Sequence, residues 1–394
     1  MNNDIVVFSS GAIGSPLSIC RSVRKIMNVR TFVICIDDEP LSKILKKSRY
    51  ITEVVVWNGI DNAEILYRNI KAWYNETGFD QKPVLFSTTD ISCIYIDTFR
   101  TQYEALFLLT IPSSLIINSF SRKGIAEKIA EEYGLNVPKT IIVSNKNEVL
   151  VVKNQFQFPV IIKPISNRSN DKLDFKAEIC NVESFTTKAE SLIVADKHFL
   201  CQEYIPGDDS SVWFYVFCRS DKGNITEYIG VKTLQNPPNC GIMAIGECKS
   251  NEELINICHN FLNQIDFVGL GGIEFKYYNG KYYFIEMNLR TEAIIALSDS
   301  NFSLASIAYL STIGQSTEQL IAPEVSQIKY IDVRSTIDAR LSQHKLLKLL
   351  RELIICWFVP GWRINVWYRD DCKPFQTVMW RSVRALANKV FIRK

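Results

Sequence analysis

Gly272-Ile273-Glu274-Phe275-Lys276-Tyr277-Tyr278-Asn279-Gly280-Lys281-Tyr282-Tyr283-Phe284-Ile285-Glu286-Met287-Asn288-Leu289-Arg290 reads as a β-hairpin, two aromatic-rich runs hinged on Asn-Gly. Residues two apart in a strand share a face, so Glu286, Asn288 and Arg290 point one way and Met287 and Leu289 the other. Glu274, Glu286 and the amide oxygen of Asn288 make a hard-oxygen set suited to Mg2+ held together with phosphates. Arg290 beside them would neutralise charge on a transferring phosphoryl group. The bland alternative is a solvated sheet face carrying acids, the usual fate of glutamate. The string ExNxR, with a second acid across the hairpin, outweighs it.

The hinge decides whether those side chains can meet. A two-residue Asn279-Gly280 turn would pair Tyr278 with Lys281 and, in a regular ladder, send Glu274 and Glu286 to opposite faces. A three-residue loop, Tyr278-Asn279-Gly280, pairs Tyr277 with Lys281 and sets Glu286 diagonal to Glu274 on one face. The metal chemistry therefore predicts the longer loop, with Gly280 at positive φ as its bulge residue.

Upstream, residues 158–163 form an apolar strand that ends in Lys163, just before Pro164, and residues 123–133 read as a helix opened by Lys123. Taken singly, one is a lysine snorkelling from a strand end and the other a helix-surface charge. Residues 199–205 read as a strand running into Pro206-Gly207-Asp208-Asp209, and Lys232 lies in a further strand over 228–234. The first 118 residues alternate strands, at 5–8, 31–36, 54–57 and 83–86, with helices, which predicts a parallel sheet. Gly11-x-x-Gly14 after the first strand is read as a packing turn rather than a nucleotide cradle, and its place at the strand ends leaves a substrate site open there.

Together these residues resemble the ATP-grasp superfamily of carboxylate–amine ligases over residues 121–296, with a weaker likeness in the N-terminal unit. The hairpin resembles the metal-binding hairpin of biotin carboxylase-type members. The fold class implied is α/β and α+β: a parallel-sheet (pre-ATP-grasp) domain over 1–118, a small lobe with the strand lysine over 119–197, a large lobe with the metal hairpin over 198–325, and a basic aromatic C-terminal extension over 326–394. The likeness puts Lys123 and Lys163 on ATP phosphates and Gln202 and Ile205 at the adenine. It puts Asp209 at the ribose, Glu274, Glu286 and Asn288 on the metal, and Arg290 and Lys232 at the reacting phosphate. ATP and Mg2+, with Mn2+ as a substitute, are the cofactors it implies, and a small-molecule carboxylate and amine, amino acids among them, are the partners. The implied reaction activates the acid as an acyl-phosphate and releases ADP and phosphate. A bicarbonate-using carboxylase and a non-catalytic ATP-binding module with a recruiting tail stand as alternatives. The family's glycine-rich loop is missing from residues 166–172, which counts against the carboxylase; a Lys176-Ala177 pair resembles the one that other members place beyond a polar loop, and Lys176 joins the ATP-binding set.

The whole chain, 394 residues with a net charge of +3, is long enough for two or three packed units and ordinary in composition. From Arg340 to Lys394 twelve Lys/Arg face only Glu352, Asp370 and Asp371, a net of +9, so the rest sums to −6. Four of the seven tryptophans, Trp357, Trp362, Trp367 and Trp380, lie in that tail. Leu346, Leu347, Leu349, Leu350, Leu353 and Ile354 with Lys345, Lys348 and Arg351 form a basic amphipathic helix, read first as docked on the body and second as a membrane-surface helix. Nucleic acid is not expected as a partner, since the body is acidic and carries no known module, while a homodimer is compatible with the sequence. Eleven scattered cysteines without a CxxC, and an N-terminus with no basic region, give the expectation of a cytoplasmic protein with reduced thiols, at most peripheral to a membrane.

Overall fold

The structure, a computed structural model, describes residues 3–165, 175, 177–292, 295, 303–318, 320 and 328–391. The N-terminal domain runs β1 (Ile5–Ser9), α1 (Gly14–Ile26), β2 (Thr31–Ile36), α2 (Glu39–Leu45), β3 (Glu53–Trp57), α3 (Ala63–Thr77), β4 (Val84–Ser87), α4 (Asp90–Thr98), α5 (Arg100–Leu106), β5 (Leu108–Leu109) and α6 (Ser114–Phe120). Its five strands are parallel in the order β3-β2-β1-β4-β5, so the order reverses between β1 and β4. Strands buried on both faces explain why β1, β2 and β4 read as continuous apolar runs. The Gly11 turn behaves as a packing turn: its N–H donates to Asp38 Oδ2 at 2.8 Å, and a Cβ on Gly14 would strike the Asn365 side chain.

The next stretch holds α7 (Ile125–Glu132), β6 (Thr140–Val143), α8 (Lys146–Gln155), β7 (Val160–Lys163), β8 (Glu178–Cys180), α9 (Val182–Val194) and β9 (Phe199–Glu203). These four strands form an antiparallel sheet, β6-β9-β7-β8, that closes on its own core of Val143, Val160, Ile162, Phe185, Phe199 and Cys201. The helix α7 belongs elsewhere, since Ala126 and Ala130 pack into the core shared by the N-terminal domain and the large lobe.

The large lobe contains β10 (Val212–Arg219), β11 (Ile225–Asn236), β12 (Ile242–Cys248), α10 (Glu252–Gln264), β13 (Gly269–Tyr278), β14 (Lys281–Asn288) and α11 (Leu304–Thr312). The C-terminal stretch adds β15 (Lys329–Ile331), α12 (Val333–Ser342), α13 (Leu346–Phe358), β16 (Trp362–Ile364) and α14 (Lys373–Phe391). Here the expected separate extension is corrected. Strands β15 and β16 complete one seven-stranded sheet, β14-β13-β10-β11-β12-β15-β16, because β15 bonds directly to β12. Beyond the sheet, Asp370 accepts from Tyr50 and pairs with Arg21 and Lys25, while Asp371 accepts from the Arg49 N–H and the Ser48 hydroxyl. The tail is thereby pinned to the N-terminal domain.

The hairpin of β13 and β14 also departs from expectation. Its turn has two residues, Asn279 (φ 48°) and Gly280 (φ 76°), both left-handed as a type I′ turn requires, and Tyr278 pairs with Lys281. Gly280 has the positive φ expected of it, but the three-residue loop does not form. Glu274 nevertheless opposes Glu286, because the register shifts between Phe284 and Glu286 and Ile285 is the extra residue of a β-bulge. Packing explains the choice. A three-residue loop would turn Tyr282 and Phe284 to the face of Glu274, whereas both belong to the core with Ile273 and Phe275. The shift must follow Phe284, and Met287 and Leu289 then take over the core face.

Candidate active site

The small-lobe half of the site is a row across three strands. Thr140 lies opposite Gln202, and Gln202 lies opposite Ile161, two residues before Lys163, so all three side chains share one face. Lys163 Nζ donates to Gln202 Oε1 at 2.7 Å, and Gln202 Nε2 donates to Thr140 Oγ1 at 3.0 Å. The other face of the same strands is the lobe's apolar core. Lys123 precedes α7, its backbone N–H bound to Ile165 O at 3.0 Å, and its ammonium reaches across to Glu286 Oε2 at 3.7 Å.

The large-lobe half lies on one face of the hairpin and its neighbours. Lys232 of β11, buried, donates to Oε2 of the half-buried Glu274 at 2.6 Å. Past the hairpin, Arg290 Nη2 donates to Asn288 Oδ1 at 3.2 Å, and its Nε stands 3.4 Å from Asp90 Oδ1 at the start of α4. Thr291 N–H donates to Ser87 O at 3.1 Å, so the strand end is tied to the C-terminal edge of β4, beside the point where the parallel sheet changes order.

Two buried lysines in this site have opposite electrostatics. Burial pulls the Lys163 ammonium down, Lys123 nearby pushes the same way, and the partner it touches is a neutral amide; its pKa falls to about 8. Burial also works against Lys232, but the Glu274 carboxylate more than offsets it and the pKa is raised. Burial opposes ionisation of Glu286 as well, yet Lys123, Lys232 and Lys163 around it outweigh that and hold it below the ordinary carboxylate range. An anion arriving at Lys163 would supply the charge it lacks.

That asymmetry has a measurable sign. Because the folded-state pKa of Lys163 lies below its unfolded value of 10.5, keeping it charged costs stability below about pH 8, and the cost vanishes as the pH passes 10.5. Nucleotide phosphates should restore the proton. Calorimetry at pH 9 in buffers of different ionisation enthalpy is expected to show uptake of close to one proton on nucleotide binding, and almost none at pH 7. Equal uptake at both pH values would remove Lys163 from the phosphate site.

Sequence reading missed Glu292. Its carboxylate accepts from Asn288 Nδ2 at 3.0 Å and is buried; that burial raises its pKa to about 7 despite Arg290. It lies over Gly272, where a Cβ would stand 1.8 Å from Glu292 Oε1. The signal available was the bare glycine directly opposite Asn288 in the hairpin.

Of the residues named from sequence, Lys123, Lys163, Gln202, Lys232, Glu274, Glu286, Asn288 and Arg290 come together. Ile205 is buried at the end of the β9 segment. Asp209 is corrected: it does not stand free for a ribose, because its oxygens accept from Gln235 N–H at 3.0 Å, Gln235 Nε2 at 2.9 Å and Asn239 N–H at 2.6 Å. It anchors the β11–β12 connection. Lys176, with Arg168 and Lys172, lies outside the described residues.

Among the described residues no three His, Cys, Asp or Glu side chains gather as a self-sufficient metal cage. The hairpin set fits a hard divalent cation that completes its shell with phosphate and water: two carboxylates and an amide, with both acids already facing ammonium groups.

Residues 122–293 match the family described as ATP-grasp domain. A curated relative, the alpha-aminoadipate–LysW ligase LysX of Sulfurisphaera tokodaii, is 24% identical over 155 residues, 39% of this chain. The chain spans about half of that relative's length, 53%. Among solved structures, an ADP complex of N5-carboxyaminoimidazole ribonucleotide synthetase is similar with a TM-score of 0.65 at 12% identity, covering 88% of this chain and 86% of that one. The N5-carboxyaminoimidazole synthetase of Staphylococcus aureus gives 0.64 at 14% identity, covering 88% of each. The biotin carboxylase domain dimer of Hydrogenobacter thermophilus 2-oxoglutarate carboxylase gives 0.61 at 14%, covering 83% of this chain and 73% of that one.

Proposed function

Since the chain carries an ATP-grasp domain, we propose that it is an ATP-dependent ligase that joins a carboxylic acid to an amine. The observation that carries this reading is the single face on which Glu274, Glu286 and Asn288 lie, bordered by Lys123, Lys163, Lys232 and Arg290. A site with four cations and two acids is built to hold a polyphosphate with a divalent ion. Mg2+ or Mn2+, when bound there through Glu274, Glu286 and Asn288, offsets phosphate charge.

In this reading Lys163 and Lys123 hold the phosphates, and Gln202, fixed by Thr140, presents the adenine end of the small lobe. A carboxylate oxygen of the acid attacks the γ-phosphorus, and the bond to the β-bridging oxygen breaks, giving ADP and an acyl-phosphate. The amine nitrogen then attacks the acyl carbon; phosphate leaves with the electron pair, and the amine proton passes to solvent. Arg290, steered by Asp90 and Asn288, lies where it can steady the phosphate that transfers and later departs. The chain's task is positioning and charge neutralisation. The C-terminal edge of β1 and β4, tied to Thr291, is the natural place for the acid and amine. The relative named as an α-aminoadipate ligase supports an amino acid as one of them.

The test is ADP release with ATP, Mg2+ and a panel of carboxylic acids, amino acids and bicarbonate, followed by mass spectrometry for the condensation product. An amide formed in step with ADP supports the ligase. Turnover with bicarbonate alone would replace it by the carboxylase, and ATP binding without substrate-stimulated turnover by the non-catalytic module.

A further inference from the structure

Helix α13 is apolar on two sides, and only one of them is covered. Leu349 and Cys356 face the body, with Leu353 partly so. Leu346, Leu347, Leu350, Ile354 and Phe358 face outward, with Leu347 84% and Phe358 82% exposed, and Trp357 shares that arc half-exposed, one side of its ring against Trp367 and Phe375. At about 100° per residue these six fall within one arc of about 120°, a continuous stripe. The helix docks by a narrow strip and leaves its larger apolar face bare. Trp380 of α14 adds a further ring at 70% exposure.

The charges beside the stripe say what covers it. Lys345, Lys348 and Arg351 are all exposed on this helix. The acids of the tail are all engaged elsewhere: Glu352 takes both forks of the buried Arg340, Asp370, itself exposed, is held by Arg21, Lys25 and Tyr50, and Asp371 by Ser48 and the Arg49 backbone. None of these three acids is thereby engaged with Lys345, Lys348 or Arg351, which stand exposed beside the stripe. An apolar stripe with large aromatics and a basic border complements an anionic lipid surface: the rings and leucines enter the acyl boundary while the lysines meet phosphate headgroups. The helix, at 13 residues, is about 20 Å long and lies in the plane of the interface, since no helix among the described residues is long and apolar enough to cross a membrane.

We propose that the exposed face of α13 docks the protein on an anionic membrane surface. This does not depend on the ligase reading. The full chain is mixed with vesicles of phosphatidylcholine alone, or with about 30% phosphatidylserine, and sedimented across a salt series. Binding at least about tenfold stronger to the anionic vesicles, falling as salt rises, is the expected result. Leu347→Glu with Phe358→Glu, both on the bare face, should abolish it while leaving the melting temperature and any ATP turnover unchanged; Lys348→Glu with Arg351→Glu should remove the preference for anionic lipid. Equal binding to both vesicle types, or binding that survives Leu347→Glu with Phe358→Glu, overturns the proposal. So does a dimer in sedimentation equilibrium that this pair of substitutions splits, which would make a second copy the occupant.

Discussion

Lys163→Ala is expected to lower turnover by about 10²–10³-fold and to weaken nucleotide binding, while leaving the protein as stable as before or slightly more so. The two effects have opposite signs for one reason. Lys163 is buried against a neutral amide, so its charge is a cost to the free protein, one that a bound phosphate would offset under the proposed assignment. Removing it relieves the first and forfeits the second. Lys232→Ala serves as the contrast: it strands the half-buried Glu274 carboxylate and should destabilise the fold by about 3–5 kcal/mol. Thermal melts and calorimetric nucleotide titration on both variants check this, and unchanged affinity in Lys163→Ala would refute the assignment.

Glu286→Gln should have the largest effect on catalysis. It keeps the shape of the side chain and removes one charge from a point that Lys123, Lys163 and Lys232 all face. Those ammonium groups would then repel one another with less compensation, and the divalent cation would lose one of its two carboxylates. A fall of about 10³-fold in kcat/KM for ATP is expected, with the Mg2+ requirement moved to higher concentration, since electrostatic contacts to a transferring phosphoryl group dominate such sites. A Mg2+ titration of activity decides it: an unchanged midpoint means the hairpin does not hold the metal.

Much of this was legible in the chain. The parallel sheet followed from β-rich runs spaced by helices, and the spacing of Glu286, Asn288 and Arg290 followed from strand alternation. The turn was misread because the metal chemistry alone was used to choose it. The apolar residues carried the answer: Tyr282 and Phe284 are core at even positions, Met287 and Leu289 at odd ones, so the parity change between them marks the bulge at Ile285. Asp209 was misread for a different reason. A carboxylate after a strand looks the same in sequence whether it waits for a ribose or closes a turn, and only the fold brings Gln235 and Asn239 to it. Glu292 escaped notice because its signal, the glycine beneath it, lies twenty residues earlier on the facing strand.

The clasp of Asp370 and Asp371 on the N-terminal domain bears on how the chain matures. The Ser48 hydroxyl meets a carboxylate that leaves the ribosome 323 residues later, and the Ser18 hydroxyl meets that of Tyr368 350 residues later. Helix α1 packs its apolar side, Leu17, Cys20 and Val23, into the same core as Leu304, Leu310 and Phe375. The parallel-sheet domain is thus completed only by residues some three hundred positions further along the chain. That is a high-contact-order closure, and pairing over such sequence distances is slow to form and leaves apolar surface open until it does.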